Sequence, residues 1–137
     1  MDNLIRILRS FSTGEEDRVF TENFIDILKS KVINDVQKMY ERGLTFSNNS
    51  VIIPSPWESI YTSLREIGFF KRFVPVSFGG NRTNEEIIYF IMELLGYTCP
   101  SLGIIFVAHS RAIDLILAGK NEKQKQKFIS RLRDGDF

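Results

Sequence analysis

The chain is poor in the residues that many functional classes require. It holds one cysteine, Cys99, and one histidine, His109. A single cysteine excludes an internal disulfide and any multi-cysteine metal site. A histidine with no second histidine or cysteine cluster beside it leaves zinc without a ligand set. Cys99 lies between Thr98 and Pro100 with no activating neighbour, so it reads as a structural thiol, and a cytoplasmic location is expected. An excess of one charge is missing too. The 18 Lys+Arg stand against 17 Asp+Glu, a formal net charge of +1, so neither nucleic acid nor an anionic membrane is an expected partner. No apolar run is long and free of charge. The longest, residues 102–118, contains His109, Arg111 and Asp114, which argues for a buried helix and against a membrane span. The first nine residues lack the apolar core and small-residue cleavage site of a secretory leader. Gly79-Gly80 belongs to no GxGxxG or GxxxxGK pattern, which excludes a phosphate loop there.

What is present is helical pattern. With 43% hydrophobic residues in 137, the chain is sized for one domain with a real core. Leu4, Ile5, Ile7 and Leu8 predict a short amphipathic turn, broken by Ser12-Thr13-Gly14. A long helix is expected from about Glu16 to Glu41, on the stripe Phe20, Phe24, Ile27/Leu28, Val32, Val36 and Met39 or Tyr40, with Arg42-Gly43 ending it. Residues 43–56 read as a loop with Asn48-Asn49-Ser50 at its tip and Pro54 and Pro56 at its end. A second helix, about Pro56 to Ile67, has Ser55 as N-cap and Gly68 as stop.

Residues 69–80 are apolar, aromatic and without helical period, which predicts a packed connection. Thr83 with Glu86 suggests a capping box for the next helix, which Gly96 ends. Pro100-Ser101 opens a helix apolar almost all round through Ala108, as befits the middle of a bundle. Asn121 caps the last helix, about Glu122 to Arg133, whose apolar positions are Phe128, Ile129 and Leu132. No convincing strand appears, so the expected fold is all-α, a five- to six-helix bundle.

Chemistry-bearing candidates are few. His109 has no Ser/Asp or Cys partner in sequence, so a hydrogen-bonded, partly buried core histidine is the better reading than a catalytic base. Glu85 and Glu86 are adjacent, about 100° apart on a helix, and suit its first turn better than paired acid–base work. Lys123, Lys125 and Lys127 alternate with Gln and read as a solvated face. The 12 phenylalanines are mostly core by the same logic.

Three segments, in order, then resemble one family. The first is Trp57-x6-Leu64-x2-Ile67-Gly68-Phe69 followed by Val74-Pro75 and Gly79-Gly80. The second is Glu93-Leu94-Leu95-Gly96. The third is Ala108-His109-Ser110, then Ala118-Gly119, Gln124-Lys125, Phe128 and finally Asp134-Gly135-Asp136. Together they resemble the N-terminal helical domain of acyl-CoA dehydrogenases. Residues 16–137 form the expected domain, and residues 1–15 have no counterpart in the pattern. Val76 replaces the family's usual acidic residue, Lys120 lengthens the last loop by one, and residues 69–73 are bulkier than usual.

The resemblance implies a flavin-dependent oxidoreductase acting on an acyl thioester. In that family FAD lies between two further domains, a β-domain and a C-terminal bundle, and a carboxylate in the latter removes the α-proton. Neither that base nor the flavin contacts occur here, so no catalytic residue is assigned and this chain alone is expected to bind no cofactor. What the resemblance does carry over is one wall of the acyl pocket, at Gly103, Phe106, Val107 and Ser110, spaced i, i+3, i+4 and i+7 on one helix face. A residue as large as Phe106 in that wall favours a short or branched acyl group. A complementing flavoprotein chain or a homo-oligomer is the expected partner. The competing expectation is a non-enzymatic interaction domain or a truncated remnant of such an enzyme.

Overall fold

A computed structural model of the chain describes residues 1–42, 45–47, 50–52 and 55–136. Helix α1, Asp2–Phe11, is a full ten residues and not the short turn its brevity in sequence suggested. It forms because Ile5 and Leu8 are buried and Phe11 stacks on Phe90, with ring centroids 5.4 Å apart. Tertiary packing thus supplies what so short a helix lacks on its own. Ser12 closes it: its hydroxyl donates to the Leu8 carbonyl at 3.1 Å and shares a 2.6 Å hydrogen bond with Thr21.

The long helix follows in three pieces: α2, Glu15–Ile27, a π turn over Leu28–Val32, and α3, Ile33–Arg42. The π turn has a reason in the stripe itself. Phe20, Phe24, Leu28 and Val32 recur strictly every four residues, which overshoots 3.6 per turn by about 40° at each step. A wider i→i+5 turn takes back part of that drift, and all four side chains stay buried. The stripe's far end at Met39 or Tyr40 and the stop at Arg42-Gly43 fall on side chains and residues outside those described.

Residues 43–56, expected to be loop, contain a small antiparallel hairpin. Strand β1, Thr45–Ser47, pairs with β2, Ser50–Ile52, placing Phe46 opposite Val51. β-Branched and aromatic residues flank the turn signal, and that composition favours pairing. Asn48-Asn49 and Pro54 lie outside the described residues. The fold is otherwise all-helical, as expected.

Helix α4, Ser55–Glu66, starts at Ser55 itself and buries Ile60 and Leu64. Gly68 ends it with φ at 74°, a left-handed turn that a β-carbon would strain. The aromatic connection is two 3-10 turns, Phe69–Phe73 and Val76–Phe78, with Phe69, Phe70 and Phe73 buried. Helix α5, Glu85–Thr98, differs from expectation at both ends. Its N-cap is Asn84, whose side chain accepts from the Glu86 and Ile87 amides at 2.8 and 3.3 Å. Thr83 is drawn away instead, donating to Asp17 at 2.9 Å. At the far end Gly96 does not stop the helix. It lies inside the last turn, where a β-carbon on Gly103 of the next helix would come within 2.9 Å of its Cα. Gly103 is the glycine this close helix contact requires, since a β-carbon on Gly96 would meet nothing within 4 Å.

Helix α6, Pro100–Ala118, has Pro100 in its first turn, and α7, Glu122–Arg133, is capped by Asn121, which accepts from the Gln124 amide at 3.1 Å. Helix α6 lies between α5 and α7 and shares its inner face with both. The core is continuous from Ile5 and Leu8 of α1 through Phe24 and Leu28 to Ile113 and Ile129.

Candidate functional site

The four wall residues on α6 separate into two environments. Gly103 is buried against Gly96. Phe106 is fully buried, its ring 4.9 Å from Phe69 and 5.8 Å from Phe70. Val107 is 44% exposed and Ser110 is half-buried. These last two open onto one groove of about 240 Å³ between α5 and α6, where Ile88, Tyr89 and Met92 face them. The i+3/i+4 spacing brought all four to one broad side of the helix. Inward packing then claimed Gly103 and Phe106, because an aromatic connection lies directly against that side.

The aromatic knot has a chemical consequence. Phe69 also contacts Phe73 edge-on at 5.2 Å, and His109 sits against Phe70 at 5.1 Å and Phe73 at 6.1 Å. His109 is 2% exposed, fully rather than partly buried. Burial pushes its imidazole down to about 4, a hydrogen bond with the Leu132 backbone working in the other direction. It is therefore neutral at physiological pH and shut off from the groove, as suits a core residue rather than a base.

Beneath the groove lies a buried ion cluster. The Arg72 guanidinium donates to Asp17 at 2.7 Å and to the Glu16 carbonyl at 3.2 Å, and stacks 4.4 Å over Phe20. Only 7% of the Arg72 side chain is exposed, and the cluster ties the 3-10 turns to the first turn of α2. At the groove's other end Asp114 stands between two cations. One carboxylate oxygen is 3.5 Å from Arg82, the other 3.7 Å from Arg111, and Arg82 also lies 3.8 Å from Glu85. Sequence reasoning passed over all of these. Arg111 and Asp114 were visible only as charges interrupting an apolar run, though their i, i+3 spacing was a signal for a pair. Arg72 and Asp17 are 55 residues apart, and no local pattern links them.

The described residues do not fit a flavin dinucleotide. The groove is smaller than the roughly 300–1,000 Å³ usual for small-molecule sites. A helix N-terminus free of negative charge is a common cradle for a pyrophosphate. Helix α2 begins Glu15-Glu16-Asp17, α5 begins Glu85-Glu86 and α7 begins with Glu122, while α6, with no acid in its first turn, begins with Pro100, which has no N–H to offer. Helix α6 is long and apolar enough to cross a membrane by length and composition, but it packs in the bundle with Leu102, Gly103, Phe106, His109 and Ile113 buried.

Set beside known proteins, residues 14–136 match the family model "Acyl-CoA dehydrogenase, N-terminal domain". A protein of Caenorhabditis briggsae described as probable medium-chain specific acyl-CoA dehydrogenase 2, mitochondrial, is 26% identical over 110 residues. That match covers 73% of this chain and 27% of the worm protein, so the chain spans about a quarter of that relative. No solved structure matches.

Proposed function

This chain belongs to the acyl-CoA dehydrogenase family as an N-terminal domain, and from that membership we propose that it forms the helical wall of a flavin-dependent enzyme that desaturates an acyl thioester between its α and β carbons. The observation that carries the reading is the family match over nearly the whole chain. The groove supports it: Val107 and Ser110 line a cleft with Ile88, Tyr89 and Met92, an apolar surface suited to one side of a hydrocarbon chain. Gly103 and Phe106 belong to the same wall from behind. Gly103 sets how close α6 stands to α5 at Gly96, and Phe106 anchors the helix against Phe69 and Phe70. FAD, the hydride acceptor in such enzymes, and the proton-abstracting carboxylate would come from other polypeptide, in a longer chain or a complementing flavoprotein; a homo-oligomer is a further partner this reading allows. No step of flavin chemistry is assigned to these residues. The compartment we favour is the cytoplasm. The relative's name points to mitochondria, and either location suits a buried, unpaired Cys99.

A second reading, an interaction domain without catalysis, draws on the outer side of α6. Ile104 and Leu115 stand 71% and 75% exposed there. Such a face is what a partner of either kind would cover.

The deciding experiment is the intact mass and visible spectrum of the native protein purified from its source. A heavier yellow species that desaturates a short acyl thioester is the expected result. A colourless 15.9 kDa protein, with no flavoprotein co-purifying, would overturn the enzymatic reading.

A further inference from the structure

Helix α1 lies wholly outside the stretch that matches the family, residues 14–136, so the family gives it no part in the site. It is nonetheless built into the domain. Ile5 and Leu8 are buried, Phe11 stacks on Phe90, and α1 packs along α5. Its seat on α2 is fixed as well. The Arg9 guanidinium donates twice to the Glu22 carboxylate, both at 2.7 Å, and the buried Ser12 hydroxyl shares its 2.6 Å hydrogen bond with Thr21. Helix α5 is thus held by α1 on one side and by α6 on another. We propose that α1 is a spacer that sets the width of the groove between α5 and α6, with Phe11 as its positioning residue, and so tunes how bulky an acyl group the groove admits. The proposal rests on the acyl-wall reading above and adds the element that controls its selectivity.

Three features support it. First, Phe11 bears on the back of the groove wall. Helical residues are about 100° apart, so Phe90 lies about 200° round α5 from both Ile88 and Met92, which line the groove. It is within about 3 Å of them along the helix axis, so the Phe11 ring stacks behind the same turn that faces the cleft. Second, the opposite wall is locked. Phe106, one residue before Val107, is fully buried with its ring 4.9 Å from Phe69 and 5.8 Å from Phe70. Third, the far end of α5 is pinned, because a β-carbon on Gly103 would already come within 2.9 Å of the Gly96 Cα. With α6 held and the C-terminal end of α5 fixed, the groove opens or narrows as the N-terminal half of α5 leans. Phe11 is the side chain stacked behind that half. It is itself half-buried, which leaves room for a larger ring.

The test uses the whole chain with two thioesters of pantetheine, the linear hexanoyl ester and the bulkier phenylacetyl ester. Each is titrated and followed by the backbone NMR shifts of Val107 and Ser110. Phe11→Leu thins the spacer and should move the ratio of affinities about threefold toward the phenylacetyl ester. Phe11→Trp thickens it and should move the ratio about threefold toward the hexanoyl ester. Phe11→Tyr keeps the ring and should keep the wild-type ratio. A purely structural Phe11 would cost stability in the Leu and Trp variants alike and leave the ratio alone, since both a void and an overpacked site destabilise. If the larger ring is not accommodated, Phe11→Leu decides by the same ratio. A ratio unmoved at Phe11→Leu, with both esters still shifting Val107 and Ser110, would overturn the spacer and leave the acyl wall standing. No shift at Val107 or Ser110 with either ester in the wild-type chain would overturn both.

Discussion

Helix α6 carries two faces of nearly equal apolarity and opposite fate. On the inner one, Leu102, Gly103, Phe106, His109 and Ile113 are buried against α5, α7 and the aromatic turn. On the outer one, Ile104, Val107 and Leu115 stand in the open, Val107 sharing the groove with Tyr89 of α5. Composition does not distinguish them: each mixes aliphatic residues with one or two polar ones. What separates them is what lies opposite. The inner face meets Phe69, Phe70 and Phe73, delivered by a 3-10 turn that Arg72 pins to α2 through Asp17. Burial is therefore a property of the whole arrangement, and residues that share one side of a helix by spacing can straddle both faces, as the wall implied by the family resemblance at Gly103, Phe106, Val107 and Ser110 does.

The largest effect that bears on this contrast is expected at Phe106. Replacing it by alanine removes a ring with no solvent exposure and leaves a cavity between Phe69 and Phe70. The chain should lose about 4 kcal/mol of stability, measurable by urea denaturation. A loss under about 1 kcal/mol would mean that Phe106 faces a space already able to collapse, and the division into two faces would be wrong at its centre.

Next comes His109. Its folded pKa lies near 4, below the ordinary 6.5, so the folded protein resists a proton that the unfolded chain accepts. Stability is then complete above about pH 6.5 and falls as pH drops toward 4, by about 3 kcal/mol in all. Denaturation midpoints at pH 7.5, 5.5 and 4.5 should show this fall, and His109→Leu should remove most of it. Carboxylates such as Glu22, held low by the Arg9 hydrogen bond, add their own loss at lower pH and would survive in the variant. An unchanged slope in His109→Leu would place the imidazole in contact with water.

The third effect tests what holds the aromatic turn in place. Asp17→Ala leaves the buried Arg72 with the Glu16 carbonyl, the Phe20 ring and a 3.6 Å approach of the Glu16 carboxylate. Because Asp17 is itself partly exposed and Glu16 remains, a loss of about 2 kcal/mol is expected, short of the full cost of stranding a buried charge. Asp17→Asn, which keeps an acceptor for Thr83, should cost less. Equal losses would mean that the charge on Asp17 carries the whole effect and that its shape and its acceptor for Thr83 add nothing.

Much of this was legible in the sequence, and the pattern of what was not is physical. Local signals read correctly where a cap or a stop is a short-range affair: Asn121 before α7, Gly68 after α4, Pro100 in the first turn of α6. They misled where a distant partner competes for the residue. Thr83 looks like half of a capping box until Asp17, 66 residues away, takes its hydroxyl and Asn84 takes the cap. Gly96 looks like a helix stop, yet α5 runs on to Thr98, and the close approach of α5 and α6 there depends on Gly103. The groove suffered most, since Arg82 precedes α5 and Arg111 sits on α6, and only the antiparallel pairing of those helices brings them to one carboxylate. The family resemblance was legible because its motifs are turns and caps, which are local by nature.

The smallest expected effect is the sharpest test of the outer face. Ile104→Ser and Leu115→Ser each remove an aliphatic side chain that is mostly in water already. In the chain by itself each should change stability by no more than about 0.5 kcal/mol, since little burial is lost. Two such changes on one surface should therefore leave the denaturation midpoint nearly where it was. Hydrogen exchange of the α6 amides should be equally indifferent, because the helix is held from its inner side. A cost above about 1 kcal/mol for either variant at low protein concentration would show that the side chain packs against its own domain. If that cost instead appears only as protein concentration rises, the outer face is covered by a second copy. The difference between inner and outer faces would then belong to the single chain and vanish in the assembly.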